Sequence, residues 1–180
     1  WKVGLLPLMT EMELEAEGTT GKKTISIPDK YAVVRMARGE PLGVVGSVYH
    51  PLQNREAFNF FDSVVGSGQA IYHTAGSLKG GRIIWILAKL PETTVVKNAD
   101  LIDQYILLSN SHDGSSGIKM AITPIRVVCM NTLNVALRSA TKHTSLRHCQ
   151  SNIDKITDVQ EALGLVNEYY SEFGEMAEYL

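Results

Sequence analysis

The sequence predicts an α+β fold: an antiparallel sheet of β-hairpins with helices packed on one face, plus a long C-terminal amphipathic helix. Three observations carry this. Apolar and β-branched runs come in pairs around Gly-rich turns, which is the pattern of hairpins. Helical periodicity is confined to a few segments and does not alternate with single strands, so a parallel βα architecture is excluded. Residues 153–180 carry apolar positions at alternating steps of three and four.

Taken in order, residues 1–9 read as a short extended segment interrupted by Pro7, and 11–17 is acidic. Gly18 to Lys23 has the composition of a loop or hairpin turn. Tyr31–Met36 and Leu42–Tyr49 then form a hairpin around Arg38-Gly39-Glu40-Pro41. Asn54 is a suitable N-cap for a helix from Arg55 to about Val65, with Glu56 at the positive helix end. The three phenylalanines of that helix, Phe58, Phe60 and Phe61, are expected in the core. A second hairpin pairs Ala70–Leu78 with Arg82–Leu90 across Lys79-Gly80-Gly81. Its run Ile83 to Ala88 is almost continuously apolar and predicts a central strand buried on both faces. A third hairpin pairs Leu101–Ser109 with Lys119–Ile125, around a loop containing Asp113-Gly114. A helix follows from Arg126 or Val127 to about Ser139.

The last helix has its seam at Ile156, Val159, Leu163, Val166, Tyr170, Phe173, Ala177 and Leu180. Such a seam docks on the helix's own domain or on a second copy. Two units are expected: residues 1–150 as the α+β core, and 151–180 as the heptad helix of the same or a longer domain. The chain starts at Trp1 and its predicted final helix runs to the last residue, which is the pattern of a piece of a longer polypeptide.

A chain of 180 residues, 44% apolar and 20% charged, has the make-up of a soluble globular domain. Its net charge of −2 gives no global attraction to nucleic acid, so such binding needs a local basic patch. No apolar stretch approaches the roughly 18–20 residues of a membrane helix, and no signal peptide is expected. Cys129 and Cys149 are the only cysteines and have no zinc-ligand spacing. Cys129, in the apolar run Ile125 to Met130, is expected to be a buried thiol. A reducing cytoplasm is the expected compartment, and no metal or cofactor is implied.

The most polar stretch is Asn110 to Ser116, which holds His112, Asp113 and three serines. These groups are raw material for acid–base or nucleophilic chemistry, yet Asn, Asp, Ser and Gly are also what a tight turn requires. Gly18 to Thr24 lacks the glycine spacing of a phosphate loop. Basic side chains concentrate late, at Arg126, Arg138, Lys142, His143, Arg147 and His148. Between Arg138 and His148 there is no carboxylate, a composition suited to phosphate contacts or to a solvated helix end. Arg138, Lys142 and His143 would share a face if the helix continued past Ser139.

Several segments resemble the phage/plasmid-like protein family, a domain of unknown function (932). They are Leu42-Gly43-Val44-Val45-Gly46 with Tyr49, Gln53 to Phe58, the Gly80-Gly81-Arg82 turn, Asn110 to Ser115, and Thr123 to Leu133. The resemblance covers about residues 1–143. It implies a gene of phages, plasmids or other mobile elements, hence a bacterial cytoplasm, and supplies no catalytic residues. Its hairpin-and-helix order is similar in outline to phage single-strand annealing proteins, an analogy of fold alone.

The leading expectation is a non-enzymatic accessory protein that binds single-stranded DNA and forms a homo-oligomer. Arg138, Lys142, His143 and Arg147 would contact phosphates, Arg126 and the Asn110 to Ser115 loop with Asn110 and His112 would help position the strand, and the heptad helix would serve assembly. The alternative is a structural or protein-interaction module of a phage or mobile element. An enzyme would require His112 and Asp113 to face a pocket together with a third group.

Overall fold

The computed structural model describes residues 1–16, 19–66, 68, 70–96, 100–140 and 142–151. The heptad pattern over 153–180 lies outside the described residues. Within them the protein is mostly β, and two antiparallel sheets replace the single sheet that was expected.

The first sheet has the order β1-β2-β3, from Val3–Ala16, Thr19–Arg35 and Glu40–Gly46. β1 and β2 pair from Val3↔Arg35 out to Ala16↔Thr19, whereas β3 reaches only as far as Lys30↔Gly46. The outer half of the hairpin is therefore a two-stranded ribbon. Residues 19–23, expected as a loop, are part of its second strand. Cross-strand partners such as Glu13↔Lys22 place opposite charges side by side, which favours pairing over a loop.

The second sheet has the order β4-β5-β6-β7-β8, from Ile71–Leu78, Ile83–Val96, Asp100–Ser111, Ile118–Thr123 and Lys142–Leu146. Helix α1 (Asn54–Gly66) and helix α2 (Met130–Arg138) lie on its opposite faces, not on one. The reason is legible in β5. Ile84, Ile86 and Ala88 pack with Leu52, Ala57 and Phe61 of the α1 side. Ile83, Trp85 and Leu87 pack with Leu133 and Ala136 of α2. Because successive side chains of a strand point to opposite faces, a continuously apolar strand needs cover on both. The smaller sheet has its own core of Val3, Val33, Leu42, Val45 and Tyr49.

Other expectations are corrected locally. α2 ends at Arg138 and the chain re-enters the sheet as β8, so Arg138 and Lys142 are not on one helix face. The run Lys142-His143-Thr144-Ser145-Leu146 is a polar strand that among the described residues pairs only with β7, and it lacks the apolar periodicity by which strands are found. Cys129 is exposed at the start of α2, not buried. Its N–H and that of Val128 donate to Thr132 Oγ1 at 3.0 and 2.9 Å, so the apolar run ends in a helix cap. Phe61 is fully buried, but Phe58 is exposed.

Candidate functional site: a polar junction and a basic sheet end

The loop from Ser111 to Gly117 joins the two sheets. Gly43 of β3 lies so close to it that a Cβ there would fall 2.5 Å from the Asp113 Cα. Gly114 adopts φ +74°, a left-handed conformation that glycine takes without penalty. Tyr49 donates its hydroxyl to the Ser111 carbonyl at 3.0 Å. The His112 N–H donates to the Arg82 carbonyl at 2.6 Å, and the His50 N–H donates to the His148 carbonyl at 3.0 Å. Arg35 adds a further tie: it pairs with Glu40 at 2.8 Å, donates to the Gly80 carbonyl and lies over the Trp1 ring.

Within the loop, Asp113 Oδ1 accepts from Ser111 Oγ at 2.6 Å and from the Ser115 N–H at 2.9 Å. Burial pushes the Asp113 carboxyl up, but the hydrogen bonds from Ser111 and Ser115 outweigh it and hold the group below the usual carboxylate range. His112 points the other way. It is completely buried, and its Nε2 donates to Asn54 Oδ1 at 2.8 Å. Burial and the neighbouring His148 push the His112 imidazole down to about 4, so it is neutral at pH 7. Asn110 is equally buried and donates to the Leu52 carbonyl at 3.2 Å. His112 and Asp113 therefore do not face one pocket. The loop that looked most like a catalytic stretch fastens α1 and β3 to the larger sheet.

Asn54, expected as an N-cap, serves His112 instead. The cap falls one residue earlier, where the Gln53 N–H donates to Glu56 Oε2 at 2.8 Å. Sequence spacing could not bring Asn54 to His112, or Tyr49 to His148, because the partners lie 58 and 99 positions apart.

The basic residues are distributed along the other edge. The pairing Ile122↔Lys142 puts the start of β8 beside the end of β7. Arg126 follows β7 and Arg138 ends α2 four positions before β8, so the chain places Arg126, Arg138, Lys142 and His143 toward one end of the larger sheet. Arg126, Arg138 and His143 are exposed. Arg147 is exposed at the opposite end of β8, next to His148, which is buried. Asn110 and His112, expected beside these cations, lie in the interior and reach no surface ligand.

Among the described residues no group of three His, Cys, Asp or Glu side chains could hold a metal ion. No helix among them is long and apolar enough to cross a membrane. Residues 41–180 match the family described as Domain of unknown function (DUF932). The chain belongs to the DUF932 family. The match begins inside β3 and continues to residue 180, later at the start and further at the end than the resemblance over 1–143. The DUF932 portion thus contains the whole five-stranded sheet, the junction loop, and Arg126, Arg138, Lys142, His143 and Arg147. No curated protein and no solved structure matches the chain.

Proposed function

We propose that this protein binds single-stranded nucleic acid without catalysis, through phosphate contacts at the β7–β8–α2 end of the larger sheet. One observation carries the reading. From Gly114 to Ile153 the chain holds no Asp or Glu, yet has Lys119, Arg126, Arg138, Lys142 and Arg147, in a protein whose net charge is −2. A carboxylate-free stretch of this kind, with Arg126, Arg138 and Lys142 near one end of β7–β8 and Lys119 and Arg147 toward the other, offers a polyanion a local attraction that the molecule as a whole does not. Among the described residues the exposed aromatics Trp1, Phe58 and Tyr72 precede β1 or sit on α1 and β4, none of them on β7, α2 or β8, so the proposed contacts are to the backbone of the strand and carry no sequence preference. A phage, plasmid or other mobile element remains the proposed setting, and self-association through the 153–180 heptads the proposed assembly.

The test is binding of labelled single-stranded DNA across a salt series. Affinity is expected to fall with salt, and joint reversal of Arg126, Arg138 and Arg147 to Glu to flatten that slope by about one unit per lost phosphate contact. Unchanged affinity in the triple variant would overturn the proposal.

A second reading, a protein-interaction module, is favoured by the β1–β2 ribbon. Met12 and Leu14 alternate on one side of β1, and Ile25 lies opposite Thr10 on the same side. All three are exposed. This reading calls for assembly with no salt-dependent affinity for DNA.

A further inference from the structure

The first turn of α1, strand β4 and Trp1 line a cleft with two lobes, of about 590 and 310 Å³, which share Trp1, Asn54 and Phe58. Two of the shared residues are exposed aromatics, Trp1 at 46% and Phe58 at 39%. Aromatic side chains set in a concave surface beside a few polar groups are the usual make-up of a ligand site. Arg35 lies over the Trp1 ring, 4.5 Å from its centroid, and so helps to fix that wall. The third shared residue, Asn54, is only 7% exposed. Its Oδ1 is taken by His112, and its NH2 has no partner among the described residues. The polar atoms of so buried a side chain are almost always paired. An open amide donor where the two lobes meet therefore marks a place for an acceptor from outside the chain.

The two lobes differ in character. The smaller is lined by Ala75, Gly76 and Ser77 of β4 with Ile84 of β5. Side chains this small leave the two aromatic rings to set the shape of what enters. The larger lobe adds Lys2, Gln53, Arg55 and Glu56. Lys2 and Arg55 are exposed, and neither forms an ion pair among the described residues. Glu56 is already engaged, since its Oε2 accepts the Gln53 N–H at 2.8 Å. Arg55 also stands in the first turn of α1, the end of a helix that carries partial positive charge. Two cations against one occupied carboxylate leave this lobe positive. A flat ring bearing an anionic group answers each part: aromatic walls for the ring, the Asn54 amide for an acceptor, and Lys2 and Arg55 for the charge.

We propose that this cleft binds a small aromatic anion, its ring at Trp1 and Phe58, its anionic group at Lys2 and Arg55, and an acceptor on the Asn54 amide. A nucleoside monophosphate and an aromatic carboxylate share this chemistry. The site stands apart from the strand-binding reading, because none of its residues lies on β7, α2 or β8. Asn54 then has two duties. One side of its amide holds His112 of the junction loop, and the other meets the ligand. An occupied cleft thus reinforces the contact that fastens α1 to the larger sheet, and the ligand stabilises the fold by mass action.

The experiment titrates the whole chain by calorimetry with adenosine monophosphate and, separately, with phenylacetate. Each is compared with its uncharged counterpart, adenosine or phenylacetamide, and with inorganic phosphate. At least one of the two anions is expected to bind about tenfold tighter than its uncharged counterpart and than phosphate, the worth of one charge-assisted contact. The one that does so names the source of the ligand. Arg55→Glu, a change at an exposed position, is expected to abolish that advantage. Phe58→Ala is expected to weaken binding by about tenfold through lost stacking. Should Phe58→Ala fail to fold, the indole N–H resonance of Trp1 is followed in the wild-type protein during the titration, and it is expected to shift. Absence of binding by both anions would overturn the proposal. So would affinity no better than that of phosphate alone, affinity that Arg55→Glu leaves unchanged, or a Trp1 resonance that stays fixed.

Discussion

The five-stranded sheet and the β1–β2 ribbon are built from similar material and have opposite fates. Both are antiparallel and carry large apolar side chains, in the ribbon Ile25 and, set between glutamates, Met12 and Leu14. In the sheet, α1 covers one face and α2 the other, and Ile86, Leu87 and Leu107 are completely buried. In the ribbon, Met12 and Leu14 retain about two-fifths of their exposure because nothing described packs on them. Apolar content alone does not decide burial. What decides it is whether a third layer is available, and a two-stranded ribbon by itself is only marginally stable in water. The family match divides the molecule the same way, since it takes in the whole sheet and leaves out β1 and β2.

The largest test of this contrast is Ile86→Ala. Removing a fully buried side chain between the helix layer and the sheet should cost about 2–5 kcal/mol, read as a lowered urea midpoint at constant slope. A smaller effect is expected at the junction between the regions. His112 and His148 take up protons near 6.5 when unfolded but only at about 4 when folded. The unfolded chain therefore binds more protons in that window. Stability from this source is complete above about pH 6.5 and is lost as pH falls toward about 4, on the order of 1–3 kcal/mol in all. Urea midpoints at about pH 7 and 4.5 measure it, and the loss should shrink in His148→Phe. The smallest effect belongs to the ribbon: Leu14→Ser is expected to change stability by no more than about 0.5 kcal/mol. If Leu14→Ser instead cost as much as Ile86→Ala, the ribbon's apolar side would be covered in solution, and the interaction-module reading would gain.

Much of the larger sheet was legible in the chain. The Lys79-Gly80-Gly81 turn, the Asp113-Gly114 loop and the burial of Ile83 to Ala88 on both faces followed from turn chemistry and apolar continuity. The same continuity already contradicted a layer of helices on one face, which is where the expectation of an α+β fold failed. The ribbon was hidden because Gly18 to Lys23 has the composition of a turn, although Thr19 to Lys23 are strand. β8 was hidden because its polar run shows no apolar alternation. At the candidate site, the basic residues were visible by type and the Asn110 to Ser116 loop by polarity. The contacts that give His112 and His148 their settings, from Asn54 and Tyr49, arise across the fold from positions that no local spacing connects.

The backbone contact between Gly43 and Asp113 bears on the order of assembly. Neighbouring strands β4 to β7 meet through turns and loops that close over short stretches of chain. The ties across the junction, Tyr49 to Ser111 and Asn110 to Leu52, span 62 and 58 residues. Ring closures of that length are entropically the more expensive. The hairpins of the larger sheet can thus form from local contacts, and the smaller sheet locks on when the 111–117 loop has taken its shape. A side chain at position 43 would act at that last step, as an obstacle to docking rather than as a flaw in either sheet.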